Sequence, residues 1–209
     1  MYHIRPNLIL GFHGCDREVG LNLISRPNTI RKSQEAYDWL GHGFYVWENS
    51  LDRAFQWAKD KKKRGALKQP MVIGVVLQLG HCLDFTDTAH TMLLGKYFQG
   101  MKQELEVIGK PLPSNKDLPN DIYKEKILRE LDCSVIEYMH QKIQEQITED
   151  IAKRGFSELK PFDSVRGMFT EGGPAFEGAG IQLKNHIQLC IRNLDCIKGI
   201  FLPRHESSF

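Results

Sequence analysis

The sequence predicts an α+β fold, and three observations predict it. Short apolar or β-branched runs stand early in the chain, at 8–13, 44–47 and 71–79, and late, at 165–169, 187–191 and 197–202. Between the two groups, from about 88 to 155, the apolar spacing is helical. Strands gathered before and after a helical insertion argue against a regularly alternating parallel sheet. Consistent with this, no Gly-x-Gly-x-x-Gly follows a strand and no Gly-x-x-x-x-Gly-Lys-Ser/Thr occurs, so both phosphate-binding signatures of the alternating folds are missing.

The apolar run at 8–13 ends at Gly14 and reads as a buried strand leading into a turn. Residues 18–40 are polar and irregular, with Pro27-Asn28, and suit a loop or short helix folded over a site. Gly41-His42-Gly43 then leads into Phe44-Tyr45-Val46-Trp47, an aromatic and β-branched strand signal. Ser50 is placed to cap a following helix, in which Leu51, Ala54, Phe55 and Ala58 share one face. The basic run Lys61-Lys62-Lys63-Arg64 falls in its last turn, where cations suit the helix dipole. The segment 71–79 is almost uninterruptedly apolar, as in a strand covered on both faces. In the middle of the chain Pro111, Pro113 and Pro119 break the helical pattern, Ser134-Val135-Ile136-Glu137 fits a capping box, and Ile143, Ile147 and Ile151 recur every fourth residue. A glycine-rich loop spans 172–180.

The 209 residues suit one well-cored domain, 1–209, with the helical insertion inside it. An apolar fraction of 41% and a charged fraction of 26% are those of an ordinary globular protein. The net charge of +2 is too mild to mark a nucleic-acid binder. The five cysteines, Cys15, Cys82, Cys133, Cys190 and Cys196, form no Cys-x-x-Cys pair and have no histidine at zinc-ligand spacing, so neither a disulfide framework nor a metal site is expected. The first residues lack a basic region followed by an apolar stretch, and the longest apolar run is too short to span a bilayer. The expectation is a reduced, cytoplasmic protein with no membrane partner.

Three pieces stand in a particular order: Gly11-Phe12-His13-Gly14 on the first strand, Gly41-His42-Gly43-Phe44-Tyr45-Val46-Trp47 followed by Ser50 and an apolar helix, and a late strand carrying Gln188. This order resembles the ADP-ribosyltransferases of the poly-ADP-ribose polymerase and diphtheria-toxin branch, over residues 8–59 and more loosely over 164–203. The resemblance implies two small antiparallel sheets packed face to face with flanking helices, and NAD+ bound between them as substrate, without a metal. It also implies that His13 holds the adenosine-side ribose, that the Gly14 backbone grips the nicotinamide amide, and that Tyr45 stacks on the nicotinamide ring. Ser50 would lie near the donor, with His42, Gly43 and Phe44 lining its cleft. Gln188 would take the place usually held by a catalytic glutamate.

A neutral amide cannot supply the negative charge that favours an oxocarbenium-like ribose, so Gln188 alone implies weaker catalysis. Glu171, at the start of the glycine-rich loop, is the alternative carboxylate. The implied reaction transfers ADP-ribose to an unidentified macromolecular acceptor, protein or nucleic acid, and releases nicotinamide. Two other readings stand beside it: an NAD+ or ADP-ribose binding module that does not turn over, and an NAD+ glycohydrolase that uses water. A competing enzyme class is a cysteine hydrolase built on Cys15 and His13, with Cys15 beyond the turn at Gly14.

Overall fold

The computed structural model describes residues 8–119 and 121–204. Its hub is β1 (Ile9–Asp16), which does not stop at Gly14. All eight of its residues pair antiparallel with β3 (Pro70–Leu77), from Ile9 opposite Leu77 to Asp16 opposite Pro70. Gly14 is a mid-strand glycine for a packing reason: a Cβ there would stand 2.3 Å from the Ala54 carbonyl oxygen of the helix crossing above. Cys15 therefore belongs to the strand and not to a turn beyond it.

On its other side β1 meets β2 (Phe44–Glu48) through two pairs alone, Gly11 with Glu48 and Phe12 with Trp47. β2 pairs with β8 (His186–Ile191), β8 with β7 (Ser164–Phe169), and β7 in parallel with β4 (Cys82–Asp84). β9 (Ile197–Phe201) closes the far edge beside β3. The result is one mixed seven-stranded sheet in the order β4-β7-β8-β2-β1-β3-β9. This corrects the expectation of two antiparallel sheets packed face to face. The short β1–β2 ladder joins a four-stranded and a three-stranded half into one layer, and one neighbouring pair is parallel. The second sheet among the described residues is a hairpin of two-residue strands, β5 (Asn115–Lys116) and β6 (Leu128–Arg129).

Helix α1 (Arg17–Ser25) occupies part of the segment read as loop or short helix, and Asp16 caps it by accepting from Glu18 N. α2 (Leu51–Lys63) ends on its lysines as the pattern predicts, though the Ser50 hydroxyl makes no capping bond. α3 (Thr88–Val107) starts at Asp87, which accepts from Ala89 N, and α4 (Glu130–Arg154) stops at Gly155, whose φ of 78° is the left-handed cap glycine favours. The insertion is thus two helices separated by the hairpin segment, with the three prolines between them. The capping box at Ser134 is not formed. Asn115 reaches across from β5 and accepts from Leu131 N at 3.0 Å, so α4 starts a turn earlier and the Ser134 hydroxyl donates back to Glu130 O.

The two faces of the sheet carry separate cores. Leu83, Val165 and Cys190 pack under Met139, Ile143 and Ile147 of α4, and this is the helical face. Phe44, Val46, Val75, Leu77, Leu189 and Ile191 make the core of the opposite face. Ile151, third of the periodic isoleucines, is 52% exposed, so that stripe leaves the core before α4 ends. Among the described residues no helix is long and apolar enough to cross a membrane.

Candidate functional site

Side chains on a strand alternate between faces, and this decides where the motif residues fall. The β1–β2 register sets His13 level with Val46, on the opposite face, where its ring lies 4.5 Å from that of Phe44. His13 Nδ1 is 2.8 Å from Tyr45 O. A carbonyl only accepts, so Nδ1 carries the hydrogen and Nε2 keeps a lone pair. Burial lowers the imidazole pKa, which keeps this tautomer neutral.

Tyr45 projects to the helical face, where its hydroxyl donates to Gly41 O at 2.8 Å and accepts from Leu40 N at 2.9 Å. Burial pushes the phenol pKa well up. His13 and Tyr45 therefore do not flank one ligand: the expected pairing of their rings is corrected to a side-chain to main-chain bond through the sheet. α2 covers the Cα of Gly14, where a Cβ would stand 2.3 Å from Ala54 O, while the β1–β2 pairing ends at Phe12, two residues before it. Gly43 exchanges two main-chain bonds with Ser33, and a Cβ on it would meet Cys190 Sγ at 2.5 Å. Phe44 is 3% exposed and belongs to the core. His42 and Ser50 lie at opposite ends of β2, about 16 Å of strand apart, and His42 instead faces Glu137, to which its N–H donates at 2.8 Å.

Gln188 and Glu171, by contrast, enter one cluster, on the helical face at the Trp47 end of β2. Across the sheet Trp47 pairs with Gln188 and Gln188 with Gly167, while His186 pairs with Phe169 one step along. Gly167 is bare because the Trp39 indole lies on it, 2.7 Å from where a Cβ would be. The indole Nε1 donates to Gln188 Oε1 at 2.5 Å. His186 stacks on Phe169, with ring centroids 5.6 Å apart, and Trp47 lies against Trp57 of α2.

Arg53, on the helix that follows the Tyr45 strand, pairs with the Glu171 carboxylate. Burial raises the Glu171 pKa, against the pull of Arg53 and Lys184. His186 Nδ1 lies 2.8 Å from Lys184 O, an acceptor, and so carries the hydrogen. Its 3.4 Å approach to Arg53 Nε is thus a contact of two donors and not a hydrogen bond, and burial lowers the imidazole pKa to about 4. Trp47 Nε1, His186 Nε2 and Arg129 Nε are buried without a hydrogen-bond partner among the described residues. Buried polar atoms are seldom left so, and these three fall in one region of the helical face.

No motif in the sequence marks Trp39, Arg53, Arg129 or His186 as part of this cluster, and Trp47, 3% exposed, is part of the core beneath it. A glycine inside an otherwise apolar strand, Gly167, signals a close approach and could have pointed to the indole above it. Nothing local marks Arg129, whose guanidinium arrives over Phe169, 4.2 Å from the ring centre, from a distant hairpin. Beside it opens a cavity of about 380 Å³. The opposite face holds a buried charge network in which Arg166 bonds Glu48 at 2.7 Å and Asp84 at 3.2 Å.

All five cysteines are free. Burial pushes the Cys15 thiol up to about 11, and no hydrogen bond joins it to His13 among the described residues, which leaves the hydrolase reading without an activated nucleophile. Among those residues no group of three metal-ligating side chains occurs. Comparison with family models, with curated proteins and with solved structures returns no match.

Proposed function

We propose that the chain is an NAD+-dependent ADP-ribosyltransferase of modest turnover, with its donor site at the Trp47–Gln188–Glu171 cluster and its acceptor a protein or nucleic acid. The reading rests on the motif order of the sequence, and one observation supports it further: a carboxylate, Glu171, is anchored near the strand that carries Gln188. Glu171 pairs with Arg53, whose Nε lies 3.4 Å from Nδ1 of His186, two residues before Gln188 on β8.

In the reaction the C1′–N bond of NAD+ breaks and its electron pair goes to the pyridinium, so nicotinamide leaves neutral and needs no acid. The ribose is left electron-poor. Glu171 supplies the negative charge that stabilises it, while Gln188 offers its amide N–H to a ribose hydroxyl. The half-buried Trp57 indole, backed by the buried Trp47, supplies a flat face for the departing ring, and the acceptor nucleophile closes the new bond at C1′. His13 in this account fixes the β1–β2 junction through Tyr45 O and does not touch the donor.

The test is nicotinamide release from NAD+. Glu171→Gln is expected to lower it about 100-fold or more, within the range seen for loss of one electrostatic stabiliser. Release unchanged in Glu171→Gln overturns the assignment. A binding-only reading has its own support, since Arg53 neutralises Glu171 and Trp39 already occupies Gln188 Oε1. Calorimetric NAD+ binding with no nicotinamide released selects it.

A further inference from the structure

The cavity beside Arg129 is lined by Tyr123, Glu125, Thr170, Pro174 and Gln182 as well. We infer that it binds an unpaired guanine-type nucleobase, and this binding does not depend on NAD+ turnover at the neighbouring cluster.

The donors and acceptors of the cavity set the class of ligand. The Arg129 guanidinium rests on Phe169 and Trp39, with one terminal nitrogen 3.7 Å from Asp132 and its Nε–H buried without a partner among the described residues. Its second terminal nitrogen has no bond of its own among the described residues, and that nitrogen, not the sealed Nε–H, is the donor for a ring carbonyl or ring nitrogen. Glu125 is an acceptor only. One of its oxygens takes Gly173 N–H at 2.8 Å, and the other has no bond of its own among the described residues. Its neighbours Lys124 and Lys126 hold φ of 53° and 50°, a left-handed conformation that side chains other than glycine seldom adopt. With that backbone Glu125 lies half-buried at the cavity while both lysines stay exposed.

Tyr123 lies on Gly173, where a Cβ would stand 2.3 Å from its ring, and gives the cavity an aromatic wall, with Pro174 as a second apolar lining residue. Single-stranded bases are held by such flat walls and read along their edges. Guanine presents two N–H donors, N1 and the 2-amino group, beside the acceptor O6. A carboxylate suits the first two and a guanidinium the third. Adenine would turn the lone pair of its N1 toward Glu125 and is disfavoured.

The experiment is calorimetric titration of the whole chain, without NAD+, by GMP, IMP, AMP and UMP and by a single-stranded pentanucleotide with one central guanine. GMP is expected to bind at least tenfold tighter than AMP or UMP, with IMP intermediate because it lacks the 2-amino group. A pentanucleotide tighter than GMP identifies a strand as the source, and equal affinity identifies the free nucleotide. Glu125→Gln keeps an oxygen for Gly173 N–H, so it should melt as wild type while losing tenfold or more for GMP. AMP binding as tightly as GMP, GMP affinity unchanged in Glu125→Gln, or no GMP binding at millimolar concentration overturns the proposal.

Discussion

At the scale of single residues, the cluster turns on a neutral amide, Gln188, and a half-buried carboxylate, Glu171, that reaches its strand through Arg53. Gln188 Oε1 is held by the Trp39 indole, so Gln188→Glu preserves that acceptor and adds the charge absent from the motif. The expected outcome is a higher rate of nicotinamide release than wild type, read as kcat at saturating NAD+. A fall in kcat would mean that Gln188 serves only to seat Trp39. The residue scale is also where the sequence was least informative. His13 and Tyr45 stand in the right order, yet the two-residue pleat and the Phe12–Trp47 register send their side chains to opposite faces. A one-residue difference in register reverses that outcome, and motif spacing carries no record of it.

At the scale of elements, the packing of α2 on β1 depends on two small residues. Gly14 and Ala54 touch backbone to backbone, and Ala58 lies beside them. Gly14→Ala must push α2 outward and is expected to cost about 1–3 kcal/mol in urea unfolding, as overpacking does. The shift should carry Arg53 away from Glu171 and weaken NAD+ binding as well. Stability equal to wild type would show that the helix yields without strain. Arg166 is the other joint, linking β7 to Glu48 of β2 and Asp84 of β4. Arg166→Met leaves carboxylates in a buried place and is expected to cost about 3–5 kcal/mol by the same measurement.

Most strands were legible because they are apolar runs edged by polar residues, and β3, β7, β8 and β9 each begin and end within two residues of the sequence reading. The hairpin β5–β6 was not, because a two-residue strand has no period and its cap on α4 comes from Asn115, fifteen positions before the helix starts.

At the scale of the whole molecule, two largely buried histidines on the helical face of the seven-stranded sheet shape its response to acid. Burial lowers the pKa of His186 to about 4 and that of His140 to about 3, both below the ordinary value of 6.5. The unfolded chain then binds more protons than the folded one between those limits. Stability is fully present above pH 6.5 and is lost as pH falls toward 4 and then 3. Urea midpoints measured from pH 7.5 to 4.5 should decline, and His140→Phe should flatten part of that slope. A midpoint independent of pH over this range would contradict the burial of both rings. The same sheet explains why the chain's architecture was easier to anticipate than its topology. Helical insertion between early and late strands follows from composition, whereas the merger of two half-sheets depends on two β1–β2 pairs that no local pattern specifies.

The central claim is that the donor sits on the helical face, against Trp47, Gln188 and Glu171, and not on the face that His13 shares with Phe44. A crystal structure with a non-hydrolysable NAD+ analogue tests it most directly. The account predicts density for the nicotinamide riboside among Trp47, Gln188 and Glu171, with the Arg53–Glu171 pair opened or turned toward the ribose. Density lying instead against His13 and Phe44 would contradict it.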